Sequence, residues 1–349
     1  MTLVDDVKSR LDIVDIVSSR VEIKPAGRNF RGLCPFHGEK TPSFFVFPDK
    51  QNWRCFGACA SGGDVLGFIM RFDNLDFKEA LDMTAQQVGL SIERDTGRQD
   101  KTNLLYKINE LAADYYYRHL MSSDEGKKAL AYLENRGVTK GTIDKFRLGL
   151  SPSGKDVLKN HVIKEGFSER SFIDCGLAFT TSDQPSKDIF RGRIMFPISD
   201  VRSRIVGFGG RSLVDKGPKY INSPKTQLFD KGNTLYGLHL ANDHIRKGQT
   251  AVIVEGYMDV IAAHQHGFVN VVASMGTALT ERQVTQLTDR SNRFVLALDP
   301  DEAGEEATLR SLEGSWHVIQ SGFASGWSSG RKASFANTNG IDIRVALLP

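Results

Sequence analysis

Four carboxylates stand where acidic side chains do chemistry. Glu255 closes the apolar run AVIVEG, Asp299 and Asp301 close the run RFVLALDPD, and Asp259 lies one helical turn beyond Glu255. Carboxylates crowded in this way repel one another and raise each other's pKa unless a cation neutralises them. Magnesium prefers hard oxygen ligands, keeps several waters and bridges one or two carboxylates to a substrate phosphate. The cluster therefore predicts a divalent-metal site, Mg2+ or Mn2+, for phosphate chemistry. The competing structural reading is an exposed i, i+4 pair at Glu255 and Asp259, with an ordinary turn and helix cap at Asp299-Pro300-Asp301. Gly256 and Gly304 beside the acids favour the metal.

A second constellation lies near the N-terminus. Cys34-Pro-Phe-His37 followed by Cys55-Phe-Gly-Ala-Cys59 supplies three thiols and one imidazole as two short-range pairs, the ligand set of one closed, structural Zn2+ site. A disulfide framework does not fit this spacing, and Cys175 reads as a small core residue. Around the expected zinc, Phe44, Phe45, Phe47, Trp53 and Phe56 alternate with Lys40, Lys50 and Arg54. A sheet of this kind can bury half its aromatics and offer the rest for stacking on bases, with cations for phosphates. Core packing would also account for many of them.

These residues need elements to hold them. AVIVEG and RFVLALDPD are strand-like, and YMDVIAAHQHG and TERQVTQLTDR carry apolar residues at helical spacing, giving a β-α-β-α-β order. Such an order folds as a parallel sheet covered by helices, with Glu255, Asp299 and Asp301 at its carboxyl edge, where ligands bind. Upstream, residues 1 to 95 read as a small zinc-bearing sheet flanked by helices, the second running from Val65 to Gly89. The polar stretch from Glu93 reads as a flexible linker, assigned to 96–104. Residues 105–248 read as helices up to about Phe146 and then short strands, RLGLSP, GRIMFPI, RIVGFGGR and PKYINS. Gly207, Gly209 and Gly210 beside Arg211 suit either close approach to a phosphate or tight packing. Arg191, Arg193, Lys219 and Lys231 are candidate phosphate contacts or a solvated face. The class is α/β multidomain.

At 349 residues, with 40% hydrophobic and 25% charged residues and a net charge of +3, the chain has the composition of a water-soluble globular protein of about two or three domains. The N-terminus MTLVDDVKSRLDIVDIV carries acids among its apolar residues and no apolar run reaches about 18 residues, so neither a signal peptide nor a membrane span is expected, and a cytoplasmic location follows as the default.

With these residues in place, the chain resembles the bacterial DnaG-type DNA primases from about residue 1 to 310. The likeness runs through CPFHGEKTPSF, CFGACASGGDV, YLENRG, FRLG, FRGRIMFPI, GFGGR, PKYINSP, KGNTLYGL, VEGYMDV, ASMGTAL and LALDPDEAG. The resemblance implies a zinc ribbon of the CHC2 type (1–95), the N-terminal subdomain of a primase core (105–248) and a Toprim sheet (249–349). It implies synthesis of short RNA on single-stranded DNA from ribonucleoside triphosphates. Glu255, Asp259, Asp299 and Asp301 then correspond to acidic metal-site residues, with Glu255 alternatively a base for the 3′-hydroxyl. Arg136, Arg211, Lys219, Tyr220 and Asn222 fall on basic-ridge and nucleotide-contact motifs.

The chain departs from the family pattern in three places. The last cysteine pair is C-x3-C where many relatives have C-x2-C, with zinc geometry expected to survive. Lys225 stands where an acid is usual. After IDIRVALLP the family continues into a further acidic motif and a helicase-binding domain, so the chain is expected to be a fragment whose Toprim domain is incomplete, with the helicase a partner of the longer family member. The stretch 316–339 is expected as a loop or insertion. The alternative function is a non-catalytic, zinc-dependent protein that binds single-stranded DNA. Strand cleavage, a third reading, lacks a region that would carry the nucleophilic tyrosine.

Overall fold

The computed structural model describes residues 3–73, 75, 77–90, 96–181, 184–214, 217–275, 279–298, 334–336 and 342–347. The chain divides into two compact units, Met1–Asp95 with Arg246–Gln249, and Thr96–Ile245 with Thr250–Pro349. No helix among the described residues is long and apolar enough to cross a membrane.

In the first unit, helices α1 (Leu3–Ser9) and α2 (Ile13–Ser18) precede five antiparallel strands: β1 (Ile23–Ala26), β2 (Asn29–Gly32), β3 (Phe44–Phe47), β4 (Asn52–Cys55) and β5 (Gly62–Asp64). The strands pair in sequence order. Alternation along β3 and β4 sends Phe44, Val46, Trp53 and Cys55 inward and leaves Phe45, Phe47, Asn52 and Arg54 on the outer face. The inner side stacks as an aromatic cluster, Trp53 on Phe44 at 5.3 Å and edge-on to Phe68 at 5.9 Å. Phe68 belongs to α3 (Val65–Phe72), whose first turn is capped by the Asp64 carboxylate accepting from the Gly67 N–H at 2.8 Å. The single helix expected over 65–89 is two: α3 stops at Asp73, and α4 (Phe77–Gln87) begins after it.

The second unit opens with α5 (Thr96–Ser122), a 27-residue helix that includes the stretch expected as a flexible linker. Then come α6 (Asp124–Asn135), α7 (Lys140–Phe146), β6 (Gly149–Leu150), α8 (Val157–Lys164) and α9 (Glu169–Asp174). The hairpin β7 (Ala178–Thr181) and β8 (Gln184–Asp188) leads into β9 (Arg193–Ser199), β10 (Ile205–Ser212) and β11 (Tyr220–Asn222). These last three join β6 in one antiparallel sheet, ordered β11-β10-β9-β6. Both faces of this sheet are covered, so β9 and β10 are almost continuously buried. Ile194, Phe196 and Ile198 pack into one apolar cluster, and Met195 with Phe208 into another.

Helix α10 (Leu238–Gly248) precedes the third sheet, made from β12 (Ala251–Val254), α11 (Tyr257–Gln265), β13 (Val271–Ala273), α12 (Glu281–Thr288), β14 (Arg293–Leu298), β15 (Ser334–Ala336) and β16 (Asp342–Leu347). Its order is β13-β12-β14-β16-β15, with β15 antiparallel and the rest parallel. This is the α/β sheet expected from the alternation of strand and helix. The chain steps from β12 to β13 on one side and returns to β14 on the other. That makes the carboxyl end of β12 a switch point, where open α/β sheets bind ligands. Of the stretch 316–339, only β15 lies within the described residues.

Candidate functional site

The zinc ligands come from two turns of the first unit, one between β2 and β3 and one between β4 and β5. Cys34, His37, Cys55 and Cys59 present ligand atoms within 4.8 Å of one another. The Sγ atoms of Cys34 and Cys59 are 3.6 Å apart, and Cys55 Sγ lies 3.9 Å from His37 Nδ1. Tetrahedral bonds of about 2.3 Å to sulfur would space sulfurs about 3.8 Å apart, so a set gathered within 4.8 Å is close to the spacing of one Zn2+ site. Backbone N–H groups of Phe36 and Gly57 point at Cys34 and Cys55 sulfur, at 3.5 and 3.2 Å, and stabilise thiolate. The hydrogen bond shared between Cys34 and Cys59 holds the first thiol well above its ordinary range and draws the second down to about 4. The longer C-x3-C spacing does not exclude Cys59: it lies in a turn closed by the Ala60 N–H donating to the Gly57 carbonyl at 3.0 Å, and its thiol stays within the cluster.

The outer face of the same sheet is aromatic and cationic. Phe45 lies 5.5 Å from Phe56 and 6.3 Å from Phe47, with Arg31 over the Phe45 ring and Arg54 over Phe56, at 6.0 and 5.7 Å. Phe56 is 63% exposed. Phe44 and Trp53, by contrast, belong to the core.

In the second unit, Glu255 comes directly after the last residue of β12 and is half-buried, and Asp259 lies exposed in the first turn of α11. Asp259 Oδ2 accepts from the Gly256 N–H at 3.0 Å, so this carboxylate also caps the helix. β14 runs parallel to β12, with Ile253 opposite Leu296, so the carboxyl ends of both strands open onto one edge of the sheet. Asp299 and Asp301 themselves lie outside the described residues.

Facing α11 is a row across three strands, Asn222–Gly209–Phe196, paired in register. Tyr257, the first residue of α11, lies on this row. Its ring stacks on Phe196 at 4.8 Å, and its hydroxyl donates to Asn222 Oδ1 at 2.5 Å. The space above Gly209 is filled by that ring: a Cβ there would lie 2.4 Å from Tyr257 Cζ. Gly207 and Gly210 make room likewise for Phe229 and Phe190. Packing therefore accounts for the three glycines. Tying up the amide oxygen of Asn222 leaves its N–H2 as the group available to a ligand.

Two residues along, Arg211 faces Tyr220 on the same side of the sheet and donates to its hydroxyl at 2.7 Å. Arg211 is 7% exposed, yet its guanidinium has aromatic company, lying 5.1 Å from the Tyr132 ring and 5.3 Å from Tyr220. Its Nε has no hydrogen-bond partner among the described residues. Arg136, at the end of α6, sits over the same Tyr132 ring at 5.6 Å. Burial raises the Tyr220 pKa, Arg211 opposes that, and the charge of Asp259 adds to it. The guanidinium cluster and the α11 carboxylate therefore share one electrostatic neighbourhood.

Not every expected cation joins it. Strand alternation puts Arg193 on the face opposite Arg211, where its Nη1 donates to the carbonyls of Gly210, Pro218 and Lys219 at 3.3, 3.0 and 3.4 Å. Arg193 braces the 218–219 turn. Arg191 and Lys219 are exposed. Lys231 sits on a single 3-10 turn held by the Gln283 amide, and burial lowers its ammonium pKa. Lys225 pairs with Asp230 at 2.6 Å. Tyr132 and Tyr257 were missed in the sequence, although YLENRG and GYMD contain them.

A small zinc-ribbon sheet in one unit and, in the other, a mostly parallel α/β sheet with carboxylates at its edge define an α/β multidomain class of zinc-bearing protein. Three family models match: the CHC2 zinc finger over 1–100, the N-terminal domain of the DNA primase catalytic core over 116–242, and the Toprim domain over 249–322. The DNA primase of Pseudomonas putida KT2440 is 43% identical over 328 residues, 92% of this chain and 50% of that protein. That of Deinococcus radiodurans is 44% identical over 303 residues, 85% and 52%. Among solved structures, the zinc-binding and RNA polymerase domains of Aquifex aeolicus primase align with TM-score 0.60 at 30% identity, covering 100% of this chain and 80% of that one. A DnaG primase catalytic domain bound to ssDNA aligns with TM-score 0.59 at 34% identity, covering 72% and 73%. The chain belongs to the DnaG-type DNA primase family. It spans about half the length of the curated relatives it matches.

Proposed function

We propose that this chain carries the template-binding and nucleotidyl-transfer parts of a cytoplasmic DNA primase, which makes short RNA on single-stranded DNA from ribonucleoside triphosphates. The observation that carries the reading is the nearness of Asp259, in the first turn of α11, to the Arg211–Tyr220 pair, with Arg136 over the same Tyr132 ring as Arg211 and Tyr257 of that turn hydrogen-bonded to Asn222. A buried guanidinium held by aromatic rings and one phenol is suited to a phosphate oxygen, which would supply the missing acceptor. The Asn222 amide would donate to the sugar or triphosphate of the same nucleotide. Bound at the sheet edge through Glu255, Asp259, Asp299 and Asp301, Mg2+ or Mn2+ would neutralise triphosphate charge and activate the attacking hydroxyl. Lys219 and Lys231 are proposed as outer phosphate contacts. Cys34, His37, Cys55 and Cys59 would hold one structural Zn2+, and the Arg31–Phe45–Phe56–Arg54 face would stack template bases. The replicative helicase is proposed as a partner of the longer protein that the relatives represent.

The test is primer synthesis on single-stranded DNA with labelled ribonucleotides and Mg2+ or Mn2+, in this chain and in one lengthened to match its relatives. Glu255→Gln should lower the yield at least about 100-fold while leaving DNA retention intact, because it removes charge and any base but keeps shape. Full-rate synthesis by Glu255→Gln would sink the assignment. DNA retention with no product from either chain would favour the non-catalytic reading.

A further inference from the structure

We infer that Glu39 is the positioning residue of the zinc centre, which fixes His37 as an Nδ1 ligand and closes the first ligand turn. The inference rests on the zinc reading above. Glu39 Oε1 accepts the backbone N–H of Cys34 at 2.7 Å and that of Ser43 at 3.0 Å. Oε2 accepts the Ser43 hydroxyl at 2.5 Å and lies 3.0 Å from His37 Nε2. Four donors on two oxygens saturate the carboxylate, and the Glu39 and His37 side chains are only 11% and 2% exposed.

The geometry decides the tautomer. His37 Nδ1 is the ring nitrogen turned to the thiols, 3.9 Å from Cys55 Sγ, so it must keep its lone pair for a metal. A neutral imidazole has one N–H, which then resides on Nε2 and donates to Glu39. A metal-bound histidine held in this way by a carboxylate is oriented and made a stronger donor. Glu39 also draws together both ends of the turn from Cys34 to Ser43, and it does so from the middle of that turn. The second ligand turn is pressed against the same group: a Cβ on Gly57 would lie 2.4 Å from Ser43 Oγ and 2.9 Å from both Glu39 Oε2 and His37 Nε2. No water or alternative acceptor fits between them at these distances.

Glu39→Gln keeps the size and the acceptor for the two backbone N–H groups. Where it turns its amide N–H2 toward His37, donor meets donor. In the full zinc-loaded chain, zinc transfer to a colorimetric chelator should be about 10- to 100-fold faster for Glu39→Gln than for the unaltered protein. Proton–nitrogen NMR of the unaltered protein should show Nδ1 as the metallated nitrogen, with an Nε2–H whose exchange is slow and becomes faster in Glu39→Gln. Equal transfer rates would overturn the inference, and so would a metallated Nε2 in the unaltered protein, which is readable even if the variant fails to fold. An unaltered, folded chain that takes up no zinc would overturn the zinc reading itself. Zinc uptake with unchanged release in Glu39→Gln would remove only the role of Glu39.

Discussion

Tyr257 shows how much of a site can depend on a side chain with no ionic chemistry of its own. Its ring is fixed by Phe196 below and by Tyr236 edge-on at 4.7 Å, and its hydroxyl sets which end of the Asn222 amide faces outward. Burial keeps that hydroxyl protonated, well above the ordinary phenol range. The ring cannot retreat from an added methyl at position 209. Gly209→Ala should therefore cost about 1–3 kcal/mol of stability, read as a lower denaturation midpoint, and should weaken nucleotide binding. Gly141→Ala, where a Cβ would meet nothing within 4 Å, serves as the control and should be neutral or slightly stabilising. Equal midpoints for the two variants would contradict the packing described. At this scale the ligand types were legible: cysteines and a histidine in paired turns, and acids after apolar runs. Tyr257 was not, because its task depends on strands far away in sequence whose pairing register no local pattern encodes.

Among the elements, strands and helices of strong periodicity were legible, and polar stretches were not. Residues 96–104 look like a linker by composition but continue α5, because Leu105, Ile108, Ala112, Tyr116 and Leu120 bury one face of that helix and propagation adds turns at little cost. Lys101 pairing with Asp174 at 2.9 Å and Gln227 donating to Thr102 at 2.7 Å hold its early turns in place. Helices α10 and α11 pose a different problem, since α11 buries His264 and α10 carries the half-buried His239. His264 donates from Nε2 to the Val271 carbonyl at 2.9 Å, and neither its Nδ1 nor that of His239 has a partner among the described residues. Burial lowers the pKa of both, His239 to about 4, with Asp200 opposing the shift. A depressed base favours folding above its unfolded pKa, about 6.5, and that contribution is lost as pH falls toward 4. Asp188, raised by burial to about 6, has the opposite sign and gains as pH falls through that value. Thermal melts of His239→Leu should thus lose less stability between pH 6.5 and 4 than the unaltered chain. A parallel loss in both would refute the assignment to His239.

For the molecule as a whole, the two units have separate cores. Val7, Ile13, Phe44, Trp53 and Phe68 belong to one apolar cluster of the first unit, and the second unit builds its own around its two sheets. A small unit with such a core depends on its metal for stability. Chelation should therefore shift the fluorescence of Trp53, which is 2% exposed, toward that of a solvated indole, while the midpoint of the second unit stays where it was. A single transition that moves as one on chelation would show that the units do not fold separately. The composition change near residue 95 was visible in the sequence. The union of residues 96–245 with the Toprim sheet was less so, because the apolar cluster joining Phe196 to Val254 and Tyr257 draws on residues with no local signal of partnership. The strand order of that sheet bears on biosynthesis. β14 lies between β12 and β16, but β16 leaves the ribosome only after every residue from 299 to 341, a delay of roughly two to nine seconds at ordinary elongation rates. Throughout that interval the nascent chain carries the apolar segment RFVLAL with one flank unpaired, where a neighbouring copy on the same polysome could pair first.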